Sequence, residues 1–170
     1  MMDINFDPDY IIIFITDYVK GFDFPKSIDG LRLKEDEFHV SLIKFPDDLG
    51  RESREKIYQI TRDHAESFSK NPPKLKGQFL GVEDKERGKR TIIGKLDFPD
   101  LKTWQNAVRQ FAPNVDFPIP HITIYFDKYD ENGYSGIALN GQERFDELTF
   151  DLPIKTERML QNVIEYNKGE

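Results

Sequence analysis

Two four-residue strings, His39-Val40-Ser41-Leu42 and His121-Ile122-Thr123-Ile124, constrain this chain more than any other feature. Each reads imidazole, apolar, hydroxyl, apolar. Side chains alternate faces along a strand, so His39 and Ser41 share one face while Val40 and Leu42 take the other. The same alternation sets His121 and Thr123 against Ile122 and Ile124. Both segments are therefore expected as half-buried strands, each showing an imidazole beside a hydroxyl and anchored from behind by aliphatic residues. The strings use two of the chain's three histidines. At this composition two accidental matches among three histidines have odds on the order of a few in ten thousand.

The rest of the composition sets the frame. At 170 residues and 13% aromatic content, the chain can bury one core, and a single domain over residues 1–170 is expected. The absence of cysteine removes disulfides, thiolate zinc sites and cysteine nucleophiles together, and fits a reducing compartment. The start, Met1-Met2-Asp3-Ile4-Asn5, lacks the basic opening of a signal peptide. The apolar run Ile11 to Ile15 is too short to span a bilayer. A soluble cytoplasmic protein without a membrane partner is the expectation, and a monomer is compatible with it. The net charge of −7 argues against an extended nucleic-acid footprint, which needs many Lys and Arg on phosphates. A small nucleotide, a cyclic nucleotide or an RNA end fits this balance better.

Periodicity predicts a first buried strand over Tyr10 to Thr16, then a long loop from Asp17 to Glu37 interrupted by Gly21, Pro25 and Gly30. The first string lies in a strand over Phe38 to Phe45. A helix follows over Ser53 to Phe68, with Ile57, Ile60, His64 and Phe68 on one stripe, stopped by Asn71-Pro72-Pro73. Two strands, Lys74 to Val82 and Thr91 to Phe98, flank the charged turn Lys85 to Arg90. A second helix runs from Pro99 to Phe111 with Leu101, Trp104, Val108 and Phe111 inward. Pro118 and Pro120 lead into the second string, His121 to Phe126, and Asp127 to Gly141 reads as loop. Glu147 to Ile154 and Arg158 to Tyr166 read as closing strands. A strand-and-helix unit before each string points to an α+β fold: a bilobal, duplicated architecture in which two antiparallel sheets flank a central cleft, helices outside.

Phosphodiester cleavage at neutral pH needs a base for water, an acid for the leaving oxygen, and donors for the non-bridging oxygens. Imidazole serves as either acid or base at cellular pH. Ser41 and Thr123 supply the hydroxyl donors. No metal or other cofactor is required, and with no HxH or HxxxH spacing a zinc site would want a third ligand. The competing reading of the strings is two ordinary half-buried strands with polar faces.

The doubled His-apolar-Ser/Thr-apolar pattern, its second copy preceded by Pro120, resembles the 2H phosphoesterase superfamily. That group includes 2′,3′-cyclic phosphodiesterases, LigT-like RNA 2′,5′-ligases, RNA-end trimming enzymes and phage enzymes that degrade cyclic oligonucleotide signals. The resemblance implies that His39 and His121 are the acid/base pair and Ser41 and Thr123 the phosphate donors. It implies a metal-independent hydrolase acting on a 2′,3′-cyclic phosphate or related nucleotide phosphodiester. Degradation of a cyclic oligonucleotide signal, RNA 2′,5′-ligation or 3′-end processing, and a non-catalytic nucleotide-binding module are the alternatives. Around the strings, Tyr125 shares a face with His121 and Thr123 and is a candidate to stack on a base. Tyr10 and Phe14 are candidates for the same wall, and Arg32 and Lys34 for assisting the phosphate. His64 is expected as a hydrogen-bonded inward histidine, Trp104 as core, and the Lys85 to Arg90 turn as a solvated hairpin tip.

Overall fold

In the computed structural model, which describes residues 2–168, two antiparallel sheets and five helices form an α+β fold. Met1, Gly169 and Glu170, part of the expected 1–170 domain, lie outside the described residues. The smaller sheet joins β1 (Asp3–Phe6), β2 (Tyr10–Phe14) and β5 (His39–Lys44), in that order. The larger sheet runs β3 (Ser27–Ile28), β4 (Leu31–Leu33), β8 (His121–Phe126), β7 (Lys89–Asp97), β6 (Lys74–Asp84) and β9 (Thr149–Asp151). The helices are α1 (Thr16–Lys20), α2 (Arg51–Lys70), α3 (Leu101–Val108), α4 (Gln142–Leu148) and α5 (Ile154–Lys168).

One hydrophobic core serves both sheets. It takes Ile11, Ile13, Val40 and Leu42 from the small sheet and Leu75, Ile92, Ile122 and Ile124 from the large one. Helix α2 buries Ile57, Thr61 and Phe68 at helical spacing, and α3 buries Leu101, Trp104 and Val108. The Trp104 indole donates to Thr61 Oγ1 at 2.9 Å, and that hydroxyl donates to the Ile57 carbonyl at 2.8 Å. A buried indole N–H needs such a partner. The other face of the large sheet carries a second cluster, where Val82 and Ile93 meet Ile137, Leu139, Phe145 and Leu148. Among the described residues no helix is long and apolar enough to cross a membrane.

Two expectations are corrected. The segment from Asp17 to Glu37 is not one long loop: it holds α1 and the β3–β4 hairpin, whose second strand pairs with β8 through Arg32↔Phe126 and Leu33↔Tyr125. Its glycines and prolines punctuate short elements instead of abolishing them. The closing segment is not a pair of strands. Glu147 and Leu148 end α4, only Thr149–Asp151 is extended, and Arg158 to Tyr166 belongs to α5. There Leu160 and Ile164, four residues apart, face the core while Tyr166 is exposed. That is helical spacing, carried by good helix formers such as Lys155, Glu157, Arg158 and Gln161. The two sheets are also unequal, three strands against six, which limits how much of a duplication the architecture retains.

Candidate active site

Both strings fold as alternation requires. Along β5 the order of exposure is half-buried His39, buried Val40, half-buried Ser41, buried Leu42; along β8 it is half-buried His121, buried Ile122, half-buried Thr123, buried Ile124. The strands belong to different sheets, yet β5 and β8 lie against each other. His39 and His121 are near enough that a charge on His39 disfavours protonation of His121.

Each imidazole is held through Nδ1, but by different chemistry. His121 Nδ1 donates to the Ile119 carbonyl at 2.6 Å. A carbonyl only accepts, so the proton of a neutral His121 sits on Nδ1, and Nε2 keeps a lone pair. Burial pushes the His121 pKa below its ordinary value; the Ile119 carbonyl opposes this, and the charge of His39 adds to it. The net shift favours the neutral ring, whose Nε2 is free. His39 Nδ1 faces a carboxylate instead, 2.9 Å from Glu37 Oε2 and 3.0 Å from Oε1. Burial works against the Glu37 charge, but the hydrogen bond from His39, its charge and that of Lys34 outweigh it and hold Glu37 below the usual carboxylate range. The Phe14 ring meets the His39 ring edge-on, with centroids 6.4 Å apart.

Among the described residues, neither Ser41 Oγ nor Thr123 Oγ1 is engaged by a hydrogen bond within the protein, so both are free to donate. The segment after β8 closes over Thr123. Gly136 passes so close that an added Cβ would lie 2.9 Å from Thr123 Oγ1. That segment is fastened by Lys89, whose ammonium donates to the carbonyls of Tyr134 at 2.7 Å and Gly136 at 2.9 Å, with Asp130 at 3.7 Å. Lys95 sits directly opposite His121 in the β7–β8 register and on the same face; its ammonium lies 5.5 Å from the centre of the Phe145 ring.

The remaining candidates divide. Tyr10 lies on the His39 side of β2, opposite Lys44, and within electrostatic reach of Tyr134 and Glu37. Phe14 touches His39, as described. Lys34 comes to the site but indirectly: it is 3% exposed and its ammonium donates to Glu37 Oε1 at 3.3 Å. Arg32 does not join it; its guanidinium stacks on Phe126 at 4.6 Å and Tyr129 at 5.4 Å, beyond the far end of β8. Tyr125 is fully buried and donates its hydroxyl to the Pro25 carbonyl at 2.6 Å, and burial raises its pKa. An irregularity in the β7–β8 pairing, between Ile92 and Ile93, breaks the alternation after Thr123 and turns Tyr125 into the core. It does not stack on a base. A groove of about 560 Å³ opens beside Phe14 and Glu37, bordered also by Thr16, Tyr18 and Lys74.

His64 donates through Nδ1 to the Ile60 carbonyl at 2.8 Å and takes no part. The turn after β6 is solvated from Lys85 to Gly88, whereas Lys89 turns inward. The sequence reading missed Glu37, Lys89 and Lys95. Glu37 was findable as the acidic residue two positions before His39, just ahead of the expected strand. Among the described residues no group of three His, Cys, Asp or Glu is arranged to hold a metal ion. No family model, no curated protein and no solved structure matches this chain.

Proposed function

We propose that this chain is a metal-independent phosphodiesterase of the 2H phosphoesterase kind, acting on a 2′,3′-cyclic phosphate or a related nucleotide phosphodiester. The observation that carries the reading is the meeting of β5 and β8. Two imidazoles, each fixed at Nδ1 and free at Nε2, stand beside two unengaged hydroxyls.

In this reading a phosphodiester sits between the histidines, its non-bridging oxygens accepting from Ser41 Oγ and Thr123 Oγ1. His121 Nε2 takes a proton from water as the water oxygen bonds to phosphorus. The opposite P–O ester bond breaks, and His39 Nε2–H gives its proton to the leaving oxygen. The partners of the two rings support this division: a carbonyl on His121 Nδ1 leaves Nε2 as the base, and a carboxylate on His39 Nδ1 accommodates a ring that also carries a proton on Nε2. Lys95 adds positive charge on the His121 side. The groove beside Phe14 has room for part of a nucleoside. The acidic net charge favours a small substrate over a long nucleic acid.

Turnover of nucleoside 2′,3′-cyclic phosphates, assayed beside cyclic di- and trinucleotides and short RNA ends, tests the proposal. Hydrolysis that persists in EDTA and falls about 100- to 10,000-fold in His39→Ala and His121→Ala is the expected result. Undiminished turnover in the double variant, or tight nucleotide binding without turnover at any pH, would refute it.

A further inference from the structure

Lys34, Glu37 and His39 form a chain that crosses from one sheet to the other. The Lys34 backbone N–H donates to the Ile124 carbonyl of β8 at 2.8 Å, so its main chain is fixed to the large sheet. Its buried ammonium reaches Glu37 Oε1 at 3.3 Å, and both Glu37 oxygens approach Nδ1 of His39, the first residue of β5 in the small sheet. The next residue after Glu37 is tied as well, the Phe38 N–H donating to Thr16 Oγ1 at 3.0 Å. A lysine is almost never this buried unless paired, and a buried ion pair adds little net stability over an apolar replacement. What such a pair does supply is a fixed geometry.

We propose that Glu37 is a positioning residue that keeps the His39 ring protonated at Nδ1 with Nε2 turned to the cleft, and that Lys34 fixes Glu37 to the strand carrying His121. The relay thereby sets where the two histidines stand relative to each other. A carboxylate only accepts, so it admits one neutral tautomer of His39. An amide in its place can donate to Nδ1 and select the other, which leaves Nε2 protonated in the neutral ring. The groups facing His39 are Glu37 from its own segment with Lys34 behind it, His121 from β8, and Phe14 from β2; Tyr10 reaches Glu37, and Tyr134 reaches Tyr10. Among the described residues, Glu37 alone places a carboxylate on the ring.

The kinetic arm of this inference rests on the phosphodiesterase reading, and the spectroscopic arm does not. Imidazole ¹⁵N shifts of the full chain, with His39 assigned by loss of its signals in His39→Asn, read the tautomer directly. Neutral His39 protonated at Nδ1 is expected in the wild-type protein, with an Nε2-protonated population appearing in Glu37→Gln. With a nucleoside 2′,3′-cyclic phosphate, Glu37→Gln should lower kcat about 100-fold while KM moves less than about threefold. Lys34→Met should keep the tautomer and lower kcat by a smaller factor. A wild-type protein without turnover but with the Nδ1 tautomer lost in Glu37→Gln would support the positioning role and count against the proposed reaction alone. Neutral wild-type His39 protonated at Nε2, or a tautomer unchanged in Glu37→Gln, overturns the inference.

Discussion

Adding one methyl group at Gly136 should disarm Thr123 while leaving residue 123 itself unchanged. A Cβ at residue 136 would stand 2.9 Å from Thr123 Oγ1 and 3.9 Å from Thr123 Cβ, whereas ordinary contact begins near 3.4 Å, so the hydroxyl must withdraw by about 0.5 Å. The Thr123 backbone has little freedom to follow, because Thr123 is paired with Ile93 of β7 and the carbonyl of the next residue, Ile124, accepts from the Lys34 N–H. Withdrawal therefore falls on the side-chain torsion, which costs about 0.5–1.5 kcal/mol when pushed off its minimum. Gly136 is not among the glycines with positive φ, so alanine fits its backbone. Such a replacement gains about 0.4–1 kcal/mol through the unfolded chain. The two terms nearly cancel, and the melting temperature should move by less than about 4 °C. Catalysis should respond far more: losing one donor to the developing phosphoryl charge costs about 2.7–4 kcal/mol, or roughly 100- to 1,000-fold in kcat. The assay is kcat on a nucleoside 2′,3′-cyclic phosphate beside a thermal melt, for Gly136→Ala, Thr123→Val and the double variant. Acting through the same hydroxyl, the two changes should be non-additive, the double variant resembling Thr123→Val. Equal losses from Gly136→Ala in both backgrounds, or none in the wild-type background, would exclude a shared action through the Thr123 hydroxyl.

Other outcomes follow from the same geometry. Lys89→Met strips the donors from the Tyr134 and Gly136 carbonyls, at about 1–3 kcal/mol for each acceptor left buried. Calorimetry should show a lower melting temperature, and hydrogen exchange should quicken around residues 130–136. Because the folded His121 pKa lies below its unfolded value of 6.5, the unfolded chain binds more protons in that window, and stability falls as pH drops below about 6.5. Urea unfolding across pH 5 to 8 should show this slope, flattened in His121→Asn. Glu37, also depressed, contributes stability above its unfolded value of 4.5 that is lost as pH falls through its folded value; Glu37→Gln should flatten the more acidic part of the curve. Trp104→Phe removes the indole donor to Thr61 at a cost of about 1 kcal/mol or more, read from the urea midpoint, with no change in KM.

What was legible in the sequence follows from where local pattern governs. The strings were legible because a two-residue period with aliphatic anchors leaves one arrangement for His39, Ser41, His121 and Thr123. The α2 and α3 stripes were legible for the same kind of reason. Tyr125 was misplaced because the irregularity between Ile92 and Ile93 belongs to the pairing of two strands and is invisible in either alone. The α5 segment was misread because short apolar runs such as Met159-Leu160 and Val163-Ile164 fit strand and helix alike until the core chooses. Lys89 looked like one more charge in a solvated turn; only the carbonyls of Tyr134 and Gly136, some 45 residues on, turn it inward. Lys34 stood out as a cation near the first string, but its role passes through Glu37 and depends on β4 joining β8. The small elements β3, β4 and β9 owe their form to neighbouring strands more than to their own residues.

Whether His39 and His121 share one phosphate can be read with the third histidine as an internal standard. Titration of the full chain with a nucleoside 2′- or 3′-monophosphate, followed through the imidazole signals, should shift His39 and His121 together along one saturation curve and leave His64 still. Shifts at only one of the two, different midpoints for the pair, or a response confined to His64 would contradict it.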